Sequence, residues 1–302
     1  MGTGIASTRS SPTGEQTPPR RSYGPPGLTD DEFKLFQRLV YREAGIHLGE
    51  SKRALVVSRL TRRVRGLGLD CFGQYYRRVV ADEQELVRML DHISTNETSF
   101  FREPGQFTFL ESQVFPRWRE AALARGRPPY RVRAWSAGCS TGEEPFSVGM
   151  SLLDHFPPED GFEVEVVATD LSTRVLRQAR AATWSLDKSI QIPHHYLKRY
   201  MRRGVGNQAG RMRASRKLQN TVSFERVNLS QDQQSVRGTF DLIFCRNVLI
   251  YFEAESKRKA LQRLLRSLSP HGYLLLGHSE ALLGTNHRLR TVAPSIFTWQ
   301  AP

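Results

Sequence analysis

Gly138 and Gly142 stand in the run Ser136-Ala137-Gly138-Cys139-Ser140-Thr141-Gly142-Glu143-Glu144-Pro145, between an apolar stretch and a helical one. Small residues let a ligand come close to the backbone, and a helix that follows offers unpaired amides at its start. The pattern is not GxGxxG. Two glutamates at the helix start would repel a pyrophosphate, so a NAD site is a poor fit. They suit a ligand carrying positive charge, an amino group or a sulfonium. The plainer alternative is that Glu143 and Glu144 only complement the helix dipole. Asp170, at the end of a second apolar run, can accept hydrogen bonds from both ribose hydroxyls of a nucleoside, or it can cap the helix beginning at Ser172. Asn228-Leu229 and Arg246-Asn247 close two further apolar runs. An asparagine reads an adenine edge with one donor and one acceptor; as a loop cap it would not. In Ser94–Glu103, the polar Asn96, Thr98 and Arg102 flank Phe100-Phe101, and periodicity alone makes this segment an ordinary linker.

Such residues converge only if the apolar runs are neighbouring strands. Strands are expected at about 130–135, 162–169, 222–227, 240–245, 273–276 and 295–299, with helices at about 144–155, 172–182 and 254–268. Strands alternating with helices predict a doubly wound, mostly parallel α/β sheet. In such sheets ligands sit at the carboxyl ends of the strands, near the point where strand order reverses. Residues 187–221 interrupt the alternation: they are polar, basic and contain Gly204, Gly206 and Gly210. A structureless loop of that length is unusual in a compact domain, so an inserted subdomain of a few short strands is expected. Residues 28–95 read as a small all-helical domain. It opens on Thr29-Asp30-Asp31-Glu32, a capping box, and its first helix stops at Gly45. Residues 1–27, rich in Ser, Thr, Pro and Gly, are expected to be a disordered tail, leaving 96–302 for the sheet domain.

The composition narrows the function. No apolar run reaches the ~18 residues of a membrane span, and the N-terminus has no signal-peptide pattern, so a cytoplasmic protein is expected. Cys71, Cys139 and Cys245 lie too far apart for a zinc spacing or a disulfide framework, and no metal site is expected. The net charge of +14 calls for an acidic partner, whether nucleic acid, anionic lipid or an acidic protein surface.

Taken in order, TNETSFFRE (95–103), WSAGCSTGEEPFS (135–147), ATDLS (168–172), FCRNVLIYF (244–252) and LLLGHSE (274–280) resemble the CheR-type chemotaxis receptor methyltransferases, over about residues 28–300. The resemblance implies a Rossmann-like methyltransferase sheet with an inserted β-subdomain behind a helical domain. It implies S-adenosylmethionine as cofactor, S-adenosylhomocysteine as product, and glutamate side chains of methyl-accepting chemotaxis receptors as substrate. By motif position, Asn96, Thr98, Arg102 and one glutamate of the pair, Glu144 rather than Glu143, would line the methionine end. Asp170 would hold the ribose, Asn228-Leu229 would flank the adenine, and Arg246-Asn247 would close the pocket. Arg102 and Tyr251 would stand at the reacting centre. The enzyme would act as a monomer, without nucleic acid and without inserting into the membrane.

Two basic stretches are candidate receptor contacts. One is the inserted segment, with eight Lys or Arg and no acid between Lys198 and Asn220. The other is the second helix, where several of Lys52, Arg59, Arg62 and Arg63 are expected to share one face while Leu55, Val56, Leu60 and Val64 occupy other positions that can bury the helix against its neighbours. Either stretch could be only a solvated face. Two other classes compete: a nucleic-acid methyltransferase, favoured by the charge, and a non-catalytic module that binds the cofactor as a signal.

Overall fold

The computed structural model describes residues 1, 27–231, 236–280 and 288–300. The expected N-terminal tail lies almost wholly outside the described residues. Among them, no helix is long and apolar enough to cross a membrane.

Four helices form the first unit: α1 (Asp30–Ala44), α2 (Arg53–Gly66), α3 (Phe72–Ala81) and α4 (Glu83–Ile93). The Thr29 side chain accepts from the Glu32 amide and the Glu32 carboxylate accepts from the Thr29 amide, which completes the capping box. Gly45 ends α1 at φ 68°, the left-handed conformation that glycine adopts without strain. Phe33, Phe36, Leu60, Val64, Phe72 and Tyr75 form a core of their own, against which Leu171 of the second unit packs. Glu85 is buried against α2, where Arg63 binds both its oxygens at 2.8 and 2.5 Å. Burial pulls the Glu85 carboxyl upward, but hydrogen bonds from Arg63, Tyr75 and Arg88 outweigh it and hold the group below its ordinary range.

A long helical rod that periodicity does not announce then leads into the sheet. It runs α5 (Pro104–Phe109), a π-helical turn (Leu110–Val114) and α6 (Phe115–Arg125). Pro116 has no N–H for the turn before it, and the backbone widens there instead of breaking.

The second unit comprises β1 (Tyr130–Ala137), α7 (Glu143–His155), β2 (Phe162–Asp170), α8 (Thr173–Ala181), β3 (Thr183–Ser185), α9 (His194–Tyr200), β4 (Met201–Arg203), β5 (Arg211–Ala214), α10 (Arg216–Thr221), β6 (Val222–Arg226), β7 (Phe240–Cys245), α11 (Ala254–Arg266), β8 (Leu268–Leu276), β9 (Leu289–Ala293) and β10 (Ile296–Trp299). The main sheet has the order β6-β2-β1-β7-β8-β10-β9. From β6 to β8 every pairing is parallel; β10 runs antiparallel to both its neighbours. Successive residues of the central strands enter different cores. Ala134, Ala168 and Phe244 pack under α7, and Trp135, Val167 and Ile243 pack under α11. The strand order reverses between β1 and β7, so the crevice expected for a ligand opens there.

The inserted sheet is β3-β5-β4, antiparallel throughout. It begins at Thr183 rather than near 187, because a strand of only three residues carries no readable alternation. The subdomain is not a detachable appendage. Trp184, Ile192, Tyr196, Tyr200 and Met212 belong to the same core as β1 and α7, and α10 returns to pack on α7, with Leu218 filling the space beside Gly149.

Candidate functional site

One cavity lies across the carboxyl ends of β1, β2, β6 and β7. Its lining includes Asn96, Thr98, Arg102, Glu144, Asp170, Asn228, Leu229, Arg246, Asn247 and Tyr251, so the structure brings together every candidate site residue. The helical unit supplies the facing wall with Ala44, Ile46, His47, Leu48, Lys52, Leu55 and Ile93, which sequence reasoning did not connect with the site. Leu55 therefore faces the cavity rather than the helical core.

The turn after β1 is shaped by its small residues. Gly138 has φ 90°, and a Cβ there would fall 2.3 Å from Val248 Cγ2, so no larger residue fits. The Gly138 and Cys139 amides donate to Thr169 O. The Ser140 amide donates to Asp170 Oδ2 and the Ser172 amide to Oδ1, each at 2.9 Å. Asp170 thus fixes the turn, while Ser172, not Asp170, is the side-chain cap of α8. Burial raises the Asp170 carboxyl above its ordinary range; the two amides oppose the shift and nearby Asp91 adds to it. Cys139 is no nucleophile here, since burial pushes its thiol well above the ordinary value.

The two glutamates part company. Glu143 points away from the cavity, fully buried, bound to Lys188 of the inserted subdomain at 2.5 Å and to Thr141 Oγ1 at 2.6 Å. Glu144 faces the cavity, accepting from Ser136 Oγ and from Arg246 Nε, both at 2.7 Å. The Arg246 guanidinium is 1% exposed; it also donates to Arg102 O and Gln106 Oε1 and lies 3.8 Å from Glu103. The buried Arg246 guanidinium is thus shared between two carboxylates, closely with Glu144 and loosely with Glu103.

The segment that periodicity reads as a linker is a clamped loop. Phe101 and Glu103 have φ of 47° and 57°, conformations that non-glycine residues hold only when their surroundings over-determine them. Those surroundings come from three directions. Arg59 of α2 donates to Ile93 O and Ser94 O at 2.5 and 2.9 Å. Gln191 of the inserted subdomain accepts from the Phe100 amide, and Ser147 of α7 from the Phe101 amide, each at 3.0 Å. Tyr196 stacks on Phe101 with ring centroids 5.2 Å apart. Arg59 and Arg63 therefore serve internal contacts and do not form an exposed basic face; Lys52, Arg62 and Arg65 are the exposed ones.

Asn228 does what the plainer alternative describes. Its Nδ2 donates to Glu43 O at 2.6 Å, and its Oδ1 accepts from the Ser230 amide and hydroxyl at 3.0 and 2.8 Å. Its Oδ1 and one Nδ2 hydrogen are engaged, so the side chain no longer offers a free acceptor beside its donor. Beyond β7, Asn247 sits at φ 60°, and Tyr251 O accepts from the His47 amide at 2.8 Å, stitching the helical unit to this rim.

These residues fit a ligand combining adenine, ribose and a cationic amino-acid end, such as S-adenosylmethionine. Asn96 Nδ2 and Asn247 Oδ1 are buried without a hydrogen-bond partner, a donor and an acceptor on the cavity wall. Asp170 lies at the β2 end, and the Gly138 turn leaves room for close approach.

Comparison with known proteins agrees. Residues 31–94 match the family described as "CheR methyltransferase, all-alpha domain", and residues 96–297 match "CheR methyltransferase, SAM binding domain". A chemotaxis protein methyltransferase of Salmonella typhimurium is 40% identical over 255 residues, covering 84% of this chain and 84% of its own. Chemotaxis protein methyltransferase 2 of Pseudomonas aeruginosa is 36% identical over 270 residues, covering 89% and 93%. The chain thus belongs to the CheR methyltransferases, with a helical domain set in front of an S-adenosylmethionine-binding domain.

Proposed function

We propose that the protein methylates glutamate side chains of methyl-accepting chemotaxis receptors in the cytoplasm, giving glutamate methyl esters and S-adenosylhomocysteine. The observation that carries this is the single cavity in which the residues expected at both ends of the cofactor converge. When bound, S-adenosylmethionine supplies a methyl group on a positively charged sulfur. The protein's own tasks are to bind, align and dry. Asn96, Thr98, Arg102 and Glu144 take the amino-acid end, Asp170 takes the ribose, and Leu229 with the Asn228 backbone takes the adenine. Arg246 acts through Glu144 and the Arg102 backbone rather than by touching the ligand. A glutamate substrate, with pKa ~4.3, is already ionised at neutral pH and needs no general base. Tyr251 and Arg102 then orient the carboxylate in a site that excludes water.

The decisive experiment is incubation with radiolabelled cofactor and membranes containing the host's receptors. Base-labile label on the receptors supports the reading. Label found on RNA or DNA instead would transfer support to nucleic-acid methylation, which the charge of +14 favours; cofactor binding without label anywhere would leave a signalling module.

Asp170 gives a sharper test. Asp170→Ala removes two charge-assisted ribose bonds worth roughly 1.5–3 kcal/mol each. Calorimetry with S-adenosylhomocysteine should show at least a tenfold loss of affinity. The ionised carboxylate accepts the ribose hydroxyls more strongly than the protonated group does, so wild-type affinity is full above the raised pKa and weakens as pH falls through it. That loss begins at a higher pH than an ordinary aspartate would give, and Asp170→Asn should lack it. Unchanged affinity in Asp170→Ala would remove the residue from the site.

A further inference from the structure

Glu280 closes the LLLGHSE segment after β8 and is not part of the cavity lining. It is 3% exposed. Its carboxylate accepts four backbone amides. Oε2 takes Asn247 N and Gly277 N, each at 2.8 Å, and Oε1 takes Val248 N at 3.0 Å and Ile250 N at 3.2 Å. Three of these amides belong to the loop that carries Asn247 and Tyr251 into the cavity. That loop needs a restraint, because Asn247 is held at φ 60° with its Oδ1 buried and unpaired. The restraint itself requires Gly277: a Cβ there would lie 2.9 Å from Glu280 Oε2 and 3.1 Å from Asn247 N.

We infer that Glu280 is a positioning residue for methyl transfer, an anionic hub that gathers the amides of residues 247–250 and so aims Asn247 and Tyr251 at the bound ligands. This rests on the methyl-transfer reading of the cavity. A carboxylate suits the task because it accepts only, with two oxygens able to serve four donors. An amide of the same shape would turn an NH2 group toward two of those N–H groups and release them.

The test uses the full-length protein and Glu280→Gln, with Gly277→Ala as a second variant that crowds the carboxylate without changing its charge. Turnover at saturating cofactor should fall at least tenfold in both, and the Kd for S-adenosylhomocysteine should rise at least fivefold. A merely structural role would lower the melting temperature yet leave turnover at saturation unchanged. Amide exchange gives a second readout: the wild type should protect Asn247, Val248 and Ile250, and Glu280→Gln should free at least one pair of the hub's amides. Wild-type turnover and affinity in either folded variant, or freely exchanging amides in the wild type, would overturn the inference. Failure of the wild type to bind S-adenosylhomocysteine would instead overturn the reading of the cavity, and amide exchange would still decide the hub.

Discussion

Arg246→Met should cost about 3–5 kcal/mol of stability and abolish measurable cofactor binding. The cost follows from what the change leaves behind. Arg246 is 1% exposed and is the counter-charge for Glu144 at 2.7 Å. Removing one partner of a buried ion pair strands the other charge, which is far more damaging than removing both. Gln106 and the Arg102 carbonyl would also lose a donor, and the Phe107 and Phe244 rings the cation 5.8 and 5.5 Å from their centres. The urea midpoint should fall with little change in slope. Arg246→Met combined with Glu144→Gln should be more stable than the sum of the single changes, with a coupling of about 0.5–3 kcal/mol. A single variant within 1 kcal/mol of wild type, or strictly additive changes, would show that the pair is not what holds this wall.

Arg246 also marks where sequence reasoning stops. Its place beside the cavity was legible because it ends an apolar run, and runs that end at Asp170, Asn228 and Arg246 must converge if the sheet is parallel. Its partners were not legible. Glu144 lies 102 positions away, and nothing in spacing chooses between a glutamate that meets a ligand and one that meets an arginine. The caps of α1 were legible because they are local, with Thr29 and Glu32 a single turn apart. The rod of α5 and α6 was not, since Pro116 and the π turn break its period. Asn228 shows the same limit: its residue type permitted either an adenine edge or a loop cap, and only the neighbouring Glu43 carbonyl decides.

Arg59→Glu and Arg62→Glu, although both reverse a charge on α2, should behave as opposites. Arg59 donates to Ile93 O and Ser94 O, the last carbonyls before the clamped loop. Reversal there removes hydrogen bonds of about 1.5–3 kcal/mol each and sets a carboxylate against two carbonyl oxygens. Stability and cofactor affinity should fall together. Arg62 is exposed. Its reversal should spare folding and cofactor affinity, and reduce only the rate of receptor methylation. That reduction should fade with added salt, since the Debye length is ~8 Å at physiological ionic strength. A normal methylation rate at low salt in Arg62→Glu with Arg65→Glu would exclude α2 as the receptor-facing surface. Normal cofactor affinity in Arg59→Glu would show that the loop holds itself.

The close meeting of Gly45 with Ser230, where a Cβ on Gly45 would lie 2.7 Å from Ser230 Cβ, bears on how this molecule can be rebuilt. Together with the Asn228 bond to Glu43 O, it makes the end of α1 and the residues after β6 one mechanical joint, 185 positions apart in the chain. A chimaera that exchanges the helical domain between relatives by cutting near residue 95 would divide that joint. Such hybrids should work only when residues 228–230 travel with the helices, so the genetic boundary between the two domains is not the structural one.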